Sequence, residues 1–578
     1  MRRSIETEIT ETGVTLFLYL FDKQVMTEGG HSVARVLAEN DVSEVYTLLG
    51  NQTVDIADGL YERDVDVVTA RHEYNAAVMA DVRGRLTGDP GVAITVAGPG
   101  GTNALTGVAQ AYTAASPMVL VSAVLPTDAP TESLHGVDDQ HFLEKAFEPA
   151  TKWSTQVHEP KRVPEALNRA FDIATTGRPG PVFVGIDEEI LMESVDIPES
   201  AFNWTHISET PPSAEAVVDA LAPIEEAEKR VLYPGKGVLR AFATNELIDV
   251  AEALDCPVVC PRHYPDSFPN DHEAFAGTVG MSDHPAAVKA LADADAVLSV
   301  GVRPSSHEAA VLGDRTSDDV DIVYFDSGEA EFPQSSAAAI VTGDIETTLS
   351  AAADVLTETA GTTDPEYQDA VRAESKRVRE EIEAYLDEVR DQTPIHPLVI
   401  MDELRSVADD DVIVTGDAGA AGGAWPNDAF EYRATNSFQH SRLYDSMGFP
   451  VPAGNAAKLV DPDRQVVNLI GDGGFLMCNM ELATAVETDT NAVTIVMNDS
   501  KYGMIWNYQR SDGHAEIGTD IPPTDIAAMS ESFGARGITV KDPDRIRPAL
   551  ETAFEADEHV VLDIYIDPTA EYVSRKIW

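Results

Sequence analysis

Two short apolar runs rich in β-branched residues, QVVNLI (465–470) and NAVTIVM (491–497), enclose a segment in which Leu482, Ala485 and Val486 recur at helical spacing. Such runs read as buried strands, and the spacing between them as a helix. A strand–helix–strand unit makes its strands parallel neighbours with a right-handed crossover. Both strands therefore finish at one edge of one sheet. Just past those ends stand Asp472, within Gly471-Asp472-Gly473-Gly474, and Asp499, which follows Asn498. Open α/β sheets bind ligands at that edge. The free N–H groups of a helix start suit a phosphate, and one or two carboxylates with substrate phosphates commonly surround Mg²⁺. Gly and Asp are also ordinary loop residues, so the weight rests on the whole unit and its Asn-Asp ending.

The same alternation fills the rest of the chain. Residues 29–195 carry HSVARVLAEN, EVYTLL, VDVVTA, GVAITVA, MVLVSAV and PVFVGI; residues 212–357 carry RVLYPG, PVVCP, AVLSVG and DIVYFD. A third block spans 392–578. The pattern predicts an α/β protein of three doubly wound, mostly parallel-sheet domains. The stretches 198–213 and 357–368 read as links, and 369–390 as a charged helix. Residues 1–28 are expected to form a disordered extension, with Met26 opening a cleaner domain start. Within it VTLFLYLF (14–21) is too short to span a bilayer, and the residues before it are acidic where a signal peptide is basic.

Charge narrows the partners. The chain has 99 acidic and 40 basic residues, a net −59, and the acids are scattered rather than gathered in one tail. Uniform acidity argues against nucleic acid and anionic membranes, and fits a surface adapted to high salt. The three cysteines, Cys256, Cys260 and Cys478, lack zinc spacing. CPVVC reads as a core strand, and the compartment as reducing and cytoplasmic.

Catalytic chemistry needs more than a phosphate site. In VDVVTARHEYNAAVMA (65–80) a strand runs through Arg71-His72-Glu73 into a helix. That places Glu73 near strand ends, although an acid in a first helical turn also favours the helix dipole by itself. Gly98-Pro99-Gly100, in AGPGGTNALTG (97–107), adds a turn suited to close approach or to an anion.

At this point the residues resemble thiamine-diphosphate enzymes, specifically the acetolactate synthase large-subunit branch. The stretch 71–123 is similar to the family's pyrimidine-binding domain. YPGKGV, GVRPSS and VYFDSGEAEF are similar to its central domain, and GDGGFLMCNMELATAVE with MNDSKYGMI to its diphosphate-binding domain. The resemblance implies that Glu73 hydrogen-bonds the aminopyrimidine of thiamine diphosphate, favouring the tautomer that removes the thiazolium proton. It implies that Asp472, Asp499 and the Lys501 carbonyl hold Mg²⁺. Asp499 stands where the family usually has Asn, and either supplies an oxygen. Met447, in DSMGFP, matches the apolar residue that props the cofactor into a bent shape; as a methionine it also suits a core.

Departures from the family gather where substrate is handled. Leu134-His135-Gly136 replaces Phe-Gln-Glu, Glu188 a Lys, Ala420-Ala421 a Gln-His pair and Arg442-Leu443 a Gly-Gly pair, while Tyr508 takes the lid tryptophan position. His135 and Arg442 suit an anionic acceptor, with Tyr508 beside them; His135 equally suits a surface loop. FAD is left open: Arg303 and Asp326 match, but PSSHE (304–308) replaces Phe-Asp-Asp-Arg. The resulting expectation is a carboligase acting on small 2-oxo acids in branched-chain amino-acid biosynthesis. It would be a homodimer or homotetramer with active sites at the subunit contact, with a small regulatory subunit as a further partner. A 2-oxo-acid decarboxylase is the alternative, although no adjacent His-His pair of the decarboxylase kind is present; an inactive regulatory homologue conflicts with intact Glu73, Asp472 and Asp499.

The charge carries its own test. The Debye length is about 10 Å at 0.1 M salt and about 3 Å at 1 M, so only the higher concentration separates neighbouring acids from each other's field. The melting temperature should rise between those two conditions; a flat or falling value counts against the high-salt surface.

Overall fold

A computed structural model describes residues 24–130, 132–206, 211–328, 337–359 and 363–578, the side chains of 24–28, 358–359 and 442 excepted. It contains three α/β units, each built on a six-stranded all-parallel sheet. In the first unit the strands are β2 (Glu44–Thr47), β3 (Asp66–Thr69), β4 (Gly91–Thr95), β5 (Met118–Val124), β6 (Trp153–Val157) and β7 (Pro181–Asp187). Two flanking strands, β1 (Gln24–Glu28) and β8 (Ser194–Pro198), form a separate antiparallel pair running from Gln24 opposite Pro198 to Glu28 opposite Ser194. The expected extension over 1–28 is corrected at its end. Residues 1–23 lie outside the described residues, but 24–28 are a strand, because β8 supplies partners for its backbone.

The second unit holds β9 (Arg230–Pro234), β10 (Val258–Pro261), β11 (Phe275–Val279), β12 (Ala296–Val300), β13 (Asp321–Asp326) and β14 (Ala339–Thr342). The third holds β15 (Ile413–Gly416), β16 (Phe438–His440), β17 (Val466–Gly471), β18 (Val493–Asn498), β19 (Arg536–Val540) and β20 (Val560–Tyr565). Every residue of β5 and β18 is buried, as strands covered by helices on both faces must be. Cys256 and Cys260 are buried within the second core, and desolvation pushes the Cys256 thiol up to about 12. The charged helix begins earlier than its composition suggests, at Pro365, and runs to Val389. Asp364 accepts from the Glu366 N–H and caps it, and proline at a first helical position suits a helix start. Among the described residues no helix is long and apolar enough to cross a membrane.

The first and third units have corresponding strand orders: β3-β2-β4-β5-β7-β6 and β16-β15-β17-β18-β20-β19. They share one apolar core. Helix Glu73–Thr87 is buried along most of its length, with Ala76, Ala77 and Ala80 at zero exposure. It packs between helix Pro99–Thr113 of its own unit and helix Pro450–Val460 of the third. A helix apolar or small on all sides is one that expects neighbours on all sides.

Polar anchoring concentrates at the far end of that helix. Arg85 and Asp81 form an ion pair with both side chains at zero exposure, Nε of Arg85 donating to Asp81 Oδ1 at 2.7 Å. Arg85 Nη1 donates to the His440 carbonyl of the third unit at 2.7 Å. The Arg85 carbonyl in turn accepts from Asn436 of the third unit and from Arg240 of the second. Removing one partner of a buried pair costs about 3–5 kcal/mol because the other charge is stranded. Arg85→Met should therefore lower the melting temperature sharply, and Asp81→Leu combined with Arg85→Met should recover most of the loss. Equal damage in the single and double variants would refute a stranded-charge origin.

Candidate functional site

β17 and β18 are neighbours in the third sheet, with Gly471 opposite Met497. Asp472 and Asp499 consequently leave the sheet at one edge from adjacent strands, as their sequence pattern requires. Asp472 opens helix Asp472–Cys478 and is 4% exposed. The Asp499 carboxyl lies within hydrogen-bond reach of it. Burial, and then the charge of Asp499, push Asp472 up to about 7. Burial raises Asp499 to about 6, against the opposing pull of the Lys501 N–H, which donates to its Oδ1 at 3.0 Å. Two carboxyl groups this close in a desolvated site resist joint ionisation. A divalent cation between them removes the conflict, and two hard oxygen ligands fit Mg²⁺ with phosphate oxygens completing its shell.

Beyond Lys501 the chain makes an excursion closed at its neck, where Tyr502 N donates to Thr519 O at 2.8 Å and Ile521 N to Ser500 O at 2.9 Å. Its helix Gly503–Ser511 carries Tyr508, which is 42% exposed. Arg442 lies in a short turn over 442–444, and its side chain is outside the described part. Met447 is half-buried rather than core filler; its carbonyl accepts from Tyr74 at 3.4 Å.

The first unit presents the second half of the candidate set. His72 Nδ1 accepts from the Tyr74 N–H at 3.1 Å and caps the helix that Glu73 opens. Glu73 is buried, and Asn103 Nδ2 donates to its Oε2 at 3.0 Å. Gly98, with φ of 63°, turns the chain into helix Pro99–Thr113, and a Cβ there would lie 2.3 Å from the His135 carbonyl oxygen. A Cβ on Gly100 would sit 3.6 Å from Glu73 Oε1. The Gly98-Pro99-Gly100 turn is thus held between Glu73 and the loop of half-buried His135, whose own φ is 64°. Gln52 Oε1 accepts from Ala97 N at 2.9 Å and its amide reaches Glu188, so Glu188 supports the same turn.

Neighbours of Glu73 bond to the third unit, Tyr74 to Ser446 at 2.9 Å and to the Met447 carbonyl at 3.4 Å, but Glu73 itself does not reach the acid pair. Among the described residues Glu73 makes no hydrogen bond or ion pair to Asp472 or Asp499; its own partner is Asn103. At the flavin-matched positions, Asp326 is ion-paired with Arg178 of the first unit and Arg303 Nε donates to Ser305 at 3.0 Å.

Sequence reading passes over Asn103, Gln52 and, most consequentially, Asp417. Asp417 follows β15, is 1% exposed, and accepts from the N–H groups of Gly448 at 2.8 Å and Phe449 at 3.3 Å. Its signal was present in VIVTGDAG (412–419), where an apolar run meets an acid–glycine turn just as at Asp472.

Comparison with known proteins identifies the family of each unit. Residues 27–148 match the family described as thiamine pyrophosphate enzyme, N-terminal TPP binding domain; 217–352 match its central domain, and 417–564 its C-terminal TPP binding domain. The chain is 30% identical to a probable acetolactate synthase large subunit of Methanocaldococcus jannaschii, over 94% of this chain and 92% of that one. It is 30% identical to an acetolactate synthase of Bacillus subtilis, over 94% of each chain. With the acetolactate synthase isozyme 3 large subunit of Escherichia coli the identity is 28%, over 96% and 97%.

The facing carboxylates yield a direct test. Asp472→Ala removes one of two protein oxygens from the cation and should abolish Mg²⁺-dependent retention of thiamine diphosphate, followed by titration calorimetry. Wild-type retention in that variant would refute the metal assignment.

Proposed function

We propose, on the premise that this chain belongs to the thiamine pyrophosphate enzymes, that it is an acetolactate synthase-like carboligase of 2-oxo acids. The observation that carries the reading is the pairing of buried Asp472 and half-buried Asp499 at adjacent strand ends with a buried, amide-oriented glutamate at the first unit's glycine turn. When bound, thiamine diphosphate supplies the electron sink that lets a 2-oxo acid lose its carboxylate as carbon dioxide. Asp472 and Asp499, with the Lys501 carbonyl, would hold Mg²⁺ beside the diphosphate, and Gly471 and Gly473 would let the backbone come close to it. Asn103 fixes one oxygen of Glu73, leaving Oε1 toward Gly100 to hold and move a proton at the pyrimidine ring. Met447 would support the cofactor with its apolar side chain. In the overall reaction one carbon–carbon bond breaks as carbon dioxide leaves. A second forms to the carbonyl carbon of the acceptor, whose oxygen takes up a proton.

The residues assigned to the acceptor are His135, Arg442 and Tyr508, residue types suited to a carboxylate-bearing partner. Flavin plays no part in the steps assigned to these side chains, and Asp326, matched to it, already has Arg178 as an ionic partner. Glu73 belongs to the first unit and the Mg²⁺ ligands to the third, with no hydrogen bond or ion pair between them among the described residues. The reading, as the family resemblance implies, is a homodimer, or a tetramer of two dimers, in which the first unit of one chain completes the third unit of its partner. Two-fold pairing gives two equal composite sites. A small regulatory subunit and a role in branched-chain amino-acid synthesis accompany this reading.

Incubation with pyruvate in molar salt should yield carbon dioxide and acetolactate; acetaldehyde alone would point to a decarboxylase, and no turnover to an inactive homologue. Glu73→Gln should keep cofactor binding and lose about 10²- to 10⁴-fold in rate, the usual share of acid–base catalysis. Mixed under subunit exchange with Asp472→Ala chains, it should regain activity, since each mixed dimer holds one intact site. Proven exchange without activity would refute the shared site.

A further inference from the structure

The turn Ser446-Met447-Gly448-Phe449 and the turn Gly471-Asp472-Gly473-Gly474 come from different connections of the third sheet. The first precedes helix Pro450–Val460, and the second follows β17. No hydrogen bond between the two turns is present among the described residues, yet both touch one side chain. Asp417 sends Oδ1 to the N–H groups of Gly448 and Phe449, at 2.8 and 3.3 Å. Its other oxygen, Oδ2, occupies the space beside Gly474 so closely that a Cβ there would lie only 1.9 Å away. The backbone of Asp417 is itself pinned: its N–H donates to Leu469 O on β17 at 3.1 Å, and His440 Nε2 lies 3.0 Å from its carbonyl. The carboxylate is thus fixed to the sheet on one side and wedged between two turns on the other. This also explains why residue 474 is glycine while its φ is ordinary: the side chain of Asp417 fills the position.

We infer that Asp417 is a positioning residue, a strut that sets the distance between the Met447 turn and the Asp472 turn and so places the two ends of the cofactor relative to each other. The inference rests on the reading of Met447 and Asp472 as cofactor contacts, and it adds a residue that touches neither cofactor nor metal. Two features follow from the wedge. An amide of the same shape keeps an oxygen for Gly448 and Phe449, so asparagine should serve and a smaller side chain should not. And the requirement for glycine at 474 should exist only while the carboxylate is there.

The test uses the full chain loaded with Mg²⁺ and thiamine diphosphate, with two readouts besides turnover: the cofactor Kd by calorimetry, and the rate of exchange of the thiazolium C2 proton by NMR. Asp417→Ala leaves two buried N–H groups without an acceptor and should raise Kd by about tenfold or more. It should slow C2 exchange by up to about 10²-fold, the scale of a misplacement near 1 Å. Asp417→Asn should restore both values to within about threefold of wild type, the spread expected of a retained neutral hydrogen bond. Gly474→Ala should reproduce the defect of Asp417→Ala by displacing the carboxylate. The double variant Asp417→Ala/Gly474→Ala should be no worse than Asp417→Ala alone, a non-additivity expected only of residues in contact. Should Asp417→Ala fail to fold, Gly474→Ala against Asp417→Asn gives the comparison, with Gly474→Ala impaired and the asparagine variant near wild type. Wild-type Kd and exchange in Asp417→Ala or Gly474→Ala, strict additivity, or an asparagine variant as impaired as alanine would each overturn the strut. Absence of cofactor binding by the unaltered protein would instead overturn the functional reading on which it rests.

Discussion

All three units converge on Arg85. A guanidinium at zero exposure has no water to satisfy its five donors, so the surrounding protein must supply acceptors. Asp81 one turn earlier takes two of them, and the His440 carbonyl at the end of β16 takes another. Gln110 and Ser116 brace Asp81 from helix Pro99–Thr113 and its end, through Oδ2 and the carbonyl. The carbonyl of Arg85 accepts from Asn436 and from Arg240, and Arg240 also reaches the Ala114 carbonyl. A buried pair of this kind contributes little net stability compared with apolar side chains of similar volume. What it does supply is direction: these bonds tie the three units together at one point with defined geometry.

That placement decides what the candidate site can be. Helix Glu73–Thr87 begins at Glu73 and ends beside Arg85, so the junction that locks its last turn also fixes the direction in which its first turn faces. Around that first turn Glu481, buried in the third unit, accepts from Arg71 N and Asn75 Nδ2, both at 2.7 Å. Desolvation raises the carboxyl of Glu481, and its hydrogen bonds from Thr484 and Arg71 oppose that shift. One helix is therefore held at both ends by the other α/β unit, which fixes the position of Glu73 between them.

Much of this was legible from local pattern. Period-two and continuous apolar runs identified β5, β12, β13, β17 and β18, because strands buried on both faces must be apolar throughout. The parallel crossover alone placed Asp472 beside Asp499. Two edge strands were not visible: β6, WSTQV, is half-buried with three polar side chains, and β11 contains Gly277 with a φ of 108°. The start of helix Pro365–Val389 was hidden in a stretch that composition assigns to a link, since Asp, Pro and Glu serve caps and turns equally well. Asp417 escaped for a different reason. Its role depends on atoms of residues 448, 449 and 474, roughly thirty or more positions away, and no spacing rule connects them. The correspondence in strand order between the first and third units was equally silent, because their sequences share topology rather than a visible repeat.

The pair β1–β8 has an implication of a different kind. Gln24 lies opposite Pro198, so the chain arrives at the first unit and departs from it at the same place, on adjoining strands. Domains whose two ends adjoin tolerate rearranged connectivity. The first unit is accordingly a cassette: its ends can be joined by a short loop and new termini opened elsewhere on its surface, a circular permutation that would leave the β2–β7 sheet and its contacts with the third unit unchanged.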